Sequence, residues 1–107
     1  MEIDIGFIKK DLTKLRKKKP EQFKVITNYL TYLQIQGFDV SRPKADNVHQ
    51  KIFELRPLEF RILYAYENEK AIALVIFEKK ESKIPKRYMN LANQRLSAYK
   101  RNQADEK

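Results

Sequence analysis

The chain contains no cysteine, which excludes a disulfide framework, a thiolate metal site and a cysteine nucleophile. Histidine occurs once, at His49, and a single imidazole cannot assemble a zinc site by itself. No apolar run approaches the roughly 18 residues of a membrane-spanning helix. The opening Met1-Glu2-Ile3-Asp4-Ile5 is acidic, unlike the basic start of a signal peptide. There is no internal repeat and no low-complexity tract. Together these absences lead to the expectation of a cytoplasmic protein that works without membrane, metal or cofactor.

What is present fits one domain spanning residues 1–107, with 42% apolar residues, six Tyr and six Phe. The net charge is +9, and its distribution matters more than its sum. Residues 9–24 carry a net +6 and residues 79–101 a net +7, whereas residues 25–78 carry −1. Two basic blocks therefore flank a nearly neutral scaffold, a pattern that attracts phosphate backbones or acidic proteins.

The hydrophobic spacing predicts an α+β chain in the order α-α-β-β-β-α. Ile8, Leu12 and Leu15 predict a helix over 7–17. Lys17-Lys18-Lys19 then meets Pro20, which cannot continue that helix but suits the first turn of the next. Phe23, Ile26, Leu30 and Leu33 place the second helix at 20–36, with Gly37 as its stop. Residues 38–47, with Pro43, read as loop. Strands follow at 48–56, 59–66 and 71–79, with turns at Pro57 and at Glu67-Asn68-Glu69-Lys70. Ala71–Phe77 is apolar on both faces, as in an inner strand covered on both sides. The segment from Glu2 to Phe7 either pairs at a sheet edge or starts the first helix, giving an antiparallel sheet of three to four strands. A last helix begins at Pro85 or Lys86 and buries Tyr88, Leu91 or Ala92, Leu96 and Tyr99. Residues 102–107 read as a frayed tail.

Period-two alternation puts Phe53, Leu55, Phe60, Ile62 and Tyr64 on one sheet face and Glu54, Arg56 and Arg61 on the other. A charged cluster on rigid strands opposite a packed face is a candidate working surface. Arg suits phosphoryl chemistry because its planar fork stays charged and binds two phosphate oxygens. Arg56 and Arg61 would supply electrostatic preorganisation for RNA cleavage by the substrate's own 2′-hydroxyl. Lys79, Lys80 and Lys83 would complete the cradle, and Lys86 and Arg87 extend it. Tyr88 would stack on a base or donate a proton. His49 and Glu54 are the candidate general bases, unless no dedicated base exists. Lys17, Lys18 and Lys19 would grip an RNA backbone. The plainer reading pairs Arg56 with Glu54 or Glu59 and leaves the lysines as solvated surface.

The order E-L-R (54–56), aromatic-Arg-Ile-Leu-Tyr (60–64), F-x-K-K (77–80) and a Pro-led helix from Pro85 with a late Tyr resembles the RelE/HigB superfamily of toxins, in its phage-derived HigB-like branch. The match is loose over 7–47 and tight over 52–99. It implies a RelE/microbial-RNase-like fold and ribosome-dependent mRNA cleavage by residues of this sheet face. It also implies a cognate antitoxin, commonly a helix-turn-helix protein of HigA type, in a toxin–antitoxin hetero-oligomer. On that resemblance Arg61, Arg56, Lys79 and Lys80 fall on motif positions. Tyr88 lies near a catalytic Tyr of the RelE branch, with the spacing to the next Ala one residue longer, and Glu54 stands where that branch has Lys. Two other functions share these features: gyrase inhibition on a ParE-like scaffold, and RNA binding without catalysis.

Overall fold

A computed structural model describes residues 1–105. Strand β1 (Glu2–Asp4) leads through a 3₁₀ turn (Gly6–Ile8) into α1 (Lys9–Lys18) and α2 (Pro20–Gln36). Strands β2 (Ala45–His49), β3 (Ile52–Leu55), β4 (Phe60–Glu67) and β5 (Lys70–Glu78) follow, and α3 (Lys86–Asp105) closes the chain. The sheet has five strands in the order β1-β5-β4-β3-β2. Its pairings are antiparallel apart from β1 against β5, which is parallel.

Local chemistry sets the helix ends. Lys19 leaves the helical conformation (φ −138°, ψ 67°) and its amide closes α1 on the Leu15 carbonyl at 2.7 Å. Pro20 then takes the first helical position, where its missing N–H costs nothing. Gly37 ends α2 at φ 59°, a left-handed conformation that side chains disfavour. At the β4–β5 turn, Asn68 (φ 51°) and Glu69 (φ 63°) are both left-handed, which matches the twist of a two-residue hairpin loop.

The alternation read from β3 and β4 appears as two cores. Leu55, Phe60, Ile62 and Tyr64 pack with Ile8, Leu12, Ile26 and Leu33 under α1 and α2. Ile52, Leu63, Ala65, Leu74 and Phe77 pack with Ala92, Leu96 and Tyr99 under α3. Residues Ala71–Phe77 of β5 are buried throughout, as expected of a strand covered on both sides. A register shift between Leu63 and Tyr64 passes over Leu74, and the Leu74 carbonyl accepts a 2.7 Å hydrogen bond from Arg95 Nη1 of α3. Arg95 thus satisfies a backbone group that the irregularity takes out of the ladder.

Three expectations are corrected. The single strand over 48–56 is two strands joined at a tight turn, with Gln50 at φ 46°, so the last three residues of the supposed loop 38–47 belong to the sheet. Asp46, Asn47 and His49 are weak strand formers, and pairing of Ala45 with Leu55 and Asp46 with Glu54 overrides that preference. The segment from Glu2 does add an edge strand, but a parallel one, which makes the sheet mixed rather than antiparallel. Three residues are too few to carry a period-two signature. The frayed tail is helical through Asp105, and residues 106–107 lie outside the described part.

Candidate active site

Register carries Glu54, Arg56 and Arg61 to one end of the α3-side face. Arg61 stands opposite Phe77 of β5, and Tyr88 of α3 stacks on Phe77 with ring centroids 4.3 Å apart and planes 8° from parallel. At the other end of α3, Lys100 lies 3.9 Å from Glu67. The helix therefore runs antiparallel to β5, and its first turn stops beside the charged cluster. No acidic residue occupies that first turn, so the positive end of the helix dipole adds to the side-chain cations.

Between these elements lies a cavity of about 180 Å³ lined by Glu54, Arg56, Arg61, Phe77, Lys79, Glu81, Ser82, Lys83 and Ile84. A second cavity, about 210 Å³, shares Phe77, Lys79, Glu81 and Lys83 and adds Glu78, Lys80, Pro85, Arg87 and Tyr88. The two form one basic groove across the exit of β5.

Arg61 is held on several sides. Its side chain is 12% exposed. Nη1 donates to the carbonyls of Leu58 at 2.8 Å and Phe60 at 2.7 Å, and Nε lies 3.9 Å from Glu54 Oε2. Leu58 sits at φ 56° in the β3–β4 turn, an unusual conformation for a branched side chain that offers its carbonyl to Arg61. Nη2 of Arg61 has no hydrogen-bond acceptor among the described residues, and Arg61 lines the cavity. Arg56 donates through Nε to Glu54 Oε1 at 2.9 Å, with Nη2 3.7 Å from Asp46 Oδ2. Among the described residues, no carboxylate pairs with Lys79, Lys80, Lys83 or Arg87.

The other basic block reaches the same end from the opposite face. Lys19 Nζ bonds Glu78 Oε2 at 2.9 Å and lies 5.6 Å over the ring of Phe60. The Lys19 hydrogen bond is the main reason that the Glu78 carboxyl titrates below its usual range, with Lys80 a smaller contributor. Lys17 and Lys18 are exposed on the last turn of α1, beside Lys19.

Not every expected residue joins the groove. His49 is exposed at the far end of β2, paired with Ile52, whereas Asp46 at the near end stands beside Glu54. Antiparallel pairing thus carries His49 away from the arginines. Lys86 is exposed on α3 but lines neither cavity. Tyr88 lines the second cavity, half-buried, with Phe77 stacked on its ring and the Arg87 guanidinium 4.5 Å over it. Arg56 takes Glu54, not Glu59, as its partner. Asp46 and Arg42 were missed because their segment reads as loop. Arg42 Nε donates to Asp46 Oδ2 at 2.9 Å, which is the main reason that this carboxyl titrates low.

The family model described as phage-derived protein, Gp49-like (DUF891), matches residues 7–97. No curated protein matches the chain.

Proposed function

Because the chain belongs to the Gp49-like family of phage-derived proteins, we propose that it is the toxin of a type II toxin–antitoxin pair, of RelE/HigB type. Its activity is cleavage of mRNA on the ribosome. The observation that carries this reading is the groove itself: Arg56, Arg61, Lys79 and Lys83 line one cavity of about 180 Å³ beside the first turn of α3.

The chemistry needs no covalent enzyme intermediate. The 2′-hydroxyl oxygen attacks phosphorus, the bond to the 5′ oxygen breaks, and a cyclic phosphate and a 5′-hydroxyl result. One proton leaves the 2′-hydroxyl for water or the exposed Glu81 carboxylate of the groove, and one is delivered to the departing 5′ oxygen. Negative charge grows on the phosphoryl oxygens between these events. Arg61 Nη2 and the ammonium groups of Lys79 and Lys83 meet that charge, and each fixed donor of this kind is worth about a hundred- to a thousandfold in rate. Lys80, Arg87 and Tyr88 extend the contact along the strand, and Lys17, Lys18 and Lys19 face ribosomal RNA from the other side of the sheet end. A cognate antitoxin, a helix-turn-helix protein, silences the toxin by covering the groove with an acidic or apolar segment. Toxin and target meet in the cytoplasm.

The test is primer extension on a defined mRNA in a purified translation system, with wild type and Arg61→Lys, each with and without ribosomes. Cuts that need wild-type protein and ribosomes are the expected result. Cutting of free RNA would remove ribosome dependence. Intact mRNA throughout would overturn the nuclease assignment and send the protein to a supercoiling assay as a gyrase inhibitor.

A further inference from the structure

The groove also holds a buried carboxylate to which the reaction above gives no task. Glu54 is 6% exposed, and its two oxygens face different guanidiniums: Oε1 accepts from Arg56 Nε at 2.9 Å and Oε2 lies 3.9 Å from Arg61 Nε. Asp46 continues the row 3.7 Å from Arg56 Nη2 and is itself held by Arg42. The charges alternate in space as Arg42, Asp46, Arg56, Glu54, Arg61.

We propose that Glu54 is a positioning residue that fixes the guanidinium forks of Arg56 and Arg61 for the transition state, and that it is not the general base. This rests on the endoribonuclease reading and states how that site is held ready.

Three observations carry it. Oε1 is engaged by Arg56 and Oε2 stands 3.9 Å from Arg61 Nε, so each carboxylate oxygen has a guanidinium against it. Arg56 is hydrogen-bonded through Nε, the side edge of its fork; Arg61 presents the same edge to Glu54 at ion-pair distance, while its Nη1 is tied to the carbonyls of Leu58 and Phe60. That leaves Nη2 of Arg61 with its direction set before substrate arrives. Finally, an anion in a groove that holds a polyanion weakens ground-state binding. Its presence is accounted for if ordering two long side chains lowers the barrier by more than the anion weakens binding.

The experiment is single-turnover cleavage of ribosome-bound mRNA by wild type, Glu54→Gln and Glu54→Asp, with ribosome affinity measured separately and rates followed across pH. For Glu54→Gln the expected result is binding equal to wild type or a few-fold tighter, and a chemical step slowed tenfold or more. The acidic limb of the pH profile should stay where wild type has it, because the base lies elsewhere. Glu54→Asp should recover part of the rate. In the free protein, Nε–H exchange of Arg56 and Arg61 by NMR should quicken in Glu54→Gln. A wild-type rate, a loss confined to affinity, or disappearance of the acidic limb would each overturn the proposal. If wild type cuts no RNA at all, the endoribonuclease reading fails. The exchange measurement then still judges Glu54, and unchanged exchange in Glu54→Gln would sink the positioning role. Should Glu54→Gln fail to fold, Asp46→Asn breaks the same row from its more exposed end, and the same slowing in smaller measure is expected. No slowing there would count against the proposal.

Discussion

The two ends of the sheet face beneath α3 are made by the same strands and behave differently. At one end, Ile52, Leu63 and Ala65 meet Leu96 and Tyr99, and water is excluded. At the other, further along β3 and two residues back along β4, the inward positions are Glu54, Arg56 and Arg61, and the helix has not yet begun. Strand alternation is continuous across both ends. The difference is the cover: α3 starts at Lys86 over Phe77, so the sheet positions beyond that point remain open. A charge at the covered end would be stranded without water, whereas at the open end it can hold an anion. The site is thus a gap in a packing scheme, furnished with cations by residues whose backbones the core holds rigid.

The first way to break the comparison acts on the open end. Arg61→Ala should lower cleavage about a hundred- to a thousandfold, the range for removing one oriented donor. Because Arg61 also ties the Leu58 turn, its melting temperature should fall slightly. Arg61→Lys keeps the charge, loses the fork and should be nearly as inactive. Quenched-flow cleavage and thermal melts on the same samples separate the two effects. Next in size, Leu96→Ala at the covered end should cost about 2–3 kcal/mol of stability, the lower part of the range for a buried leucine. Its single-turnover rate should match wild type at temperatures where it is folded. Denaturant titration measures the first quantity.

Salt sharpens the contrast. Four phosphate contacts on a single strand imply that raising salt from about 50 to 200 mM weakens RNA binding roughly 50-fold. Filter binding to RNA or ribosomes tests this, and a flat response would contradict the polyanion assignment. Acid should give the smallest effect. Glu78 and Asp46 titrate below their usual range because of Lys19 and Arg42. A carboxyl with a lowered folded-state pKa contributes stability that is present above its unfolded pKa and is lost as pH falls through the folded one. Melting temperature should therefore hold at neutral pH and drop slightly below the ordinary carboxylate range. That drop should shrink in Glu78→Gln.

Much of this architecture was legible because punctuation and alternation were both strong. Pro20 and Gly37 bound α2 at both ends, and alternation over 53–64 sorted the core from Glu54, Arg56 and Arg61. The F-x-K-K segment placed Lys79 where β5 leaves the core. What stayed hidden was tertiary. Asp46 joins the site because β2 pairs with β3, and nothing in Ala45-Asp46-Asn47 announces a strand. The same pairing carries His49 away, so an isolated histidine was weak evidence of a base. The direction of β1 depends on α1 and α2 crossing back over the sheet, which three residues cannot encode. That Lys19 would reach Glu78, bringing the two basic blocks to one end, also required the fold.

The most direct test compares lysines at the two ends in one assay. Single-turnover mRNA cleavage on ribosomes would be measured for Lys79→Ala and Lys83→Ala at the open end, and for Lys51→Ala and Lys100→Ala beside the covered end. The account predicts at least a tenfold rate loss for the first pair, near wild-type rates for the second, and unchanged melting temperatures for the open-end variants. Equal losses at both ends, or a larger loss at Lys51 or Lys100, would contradict it.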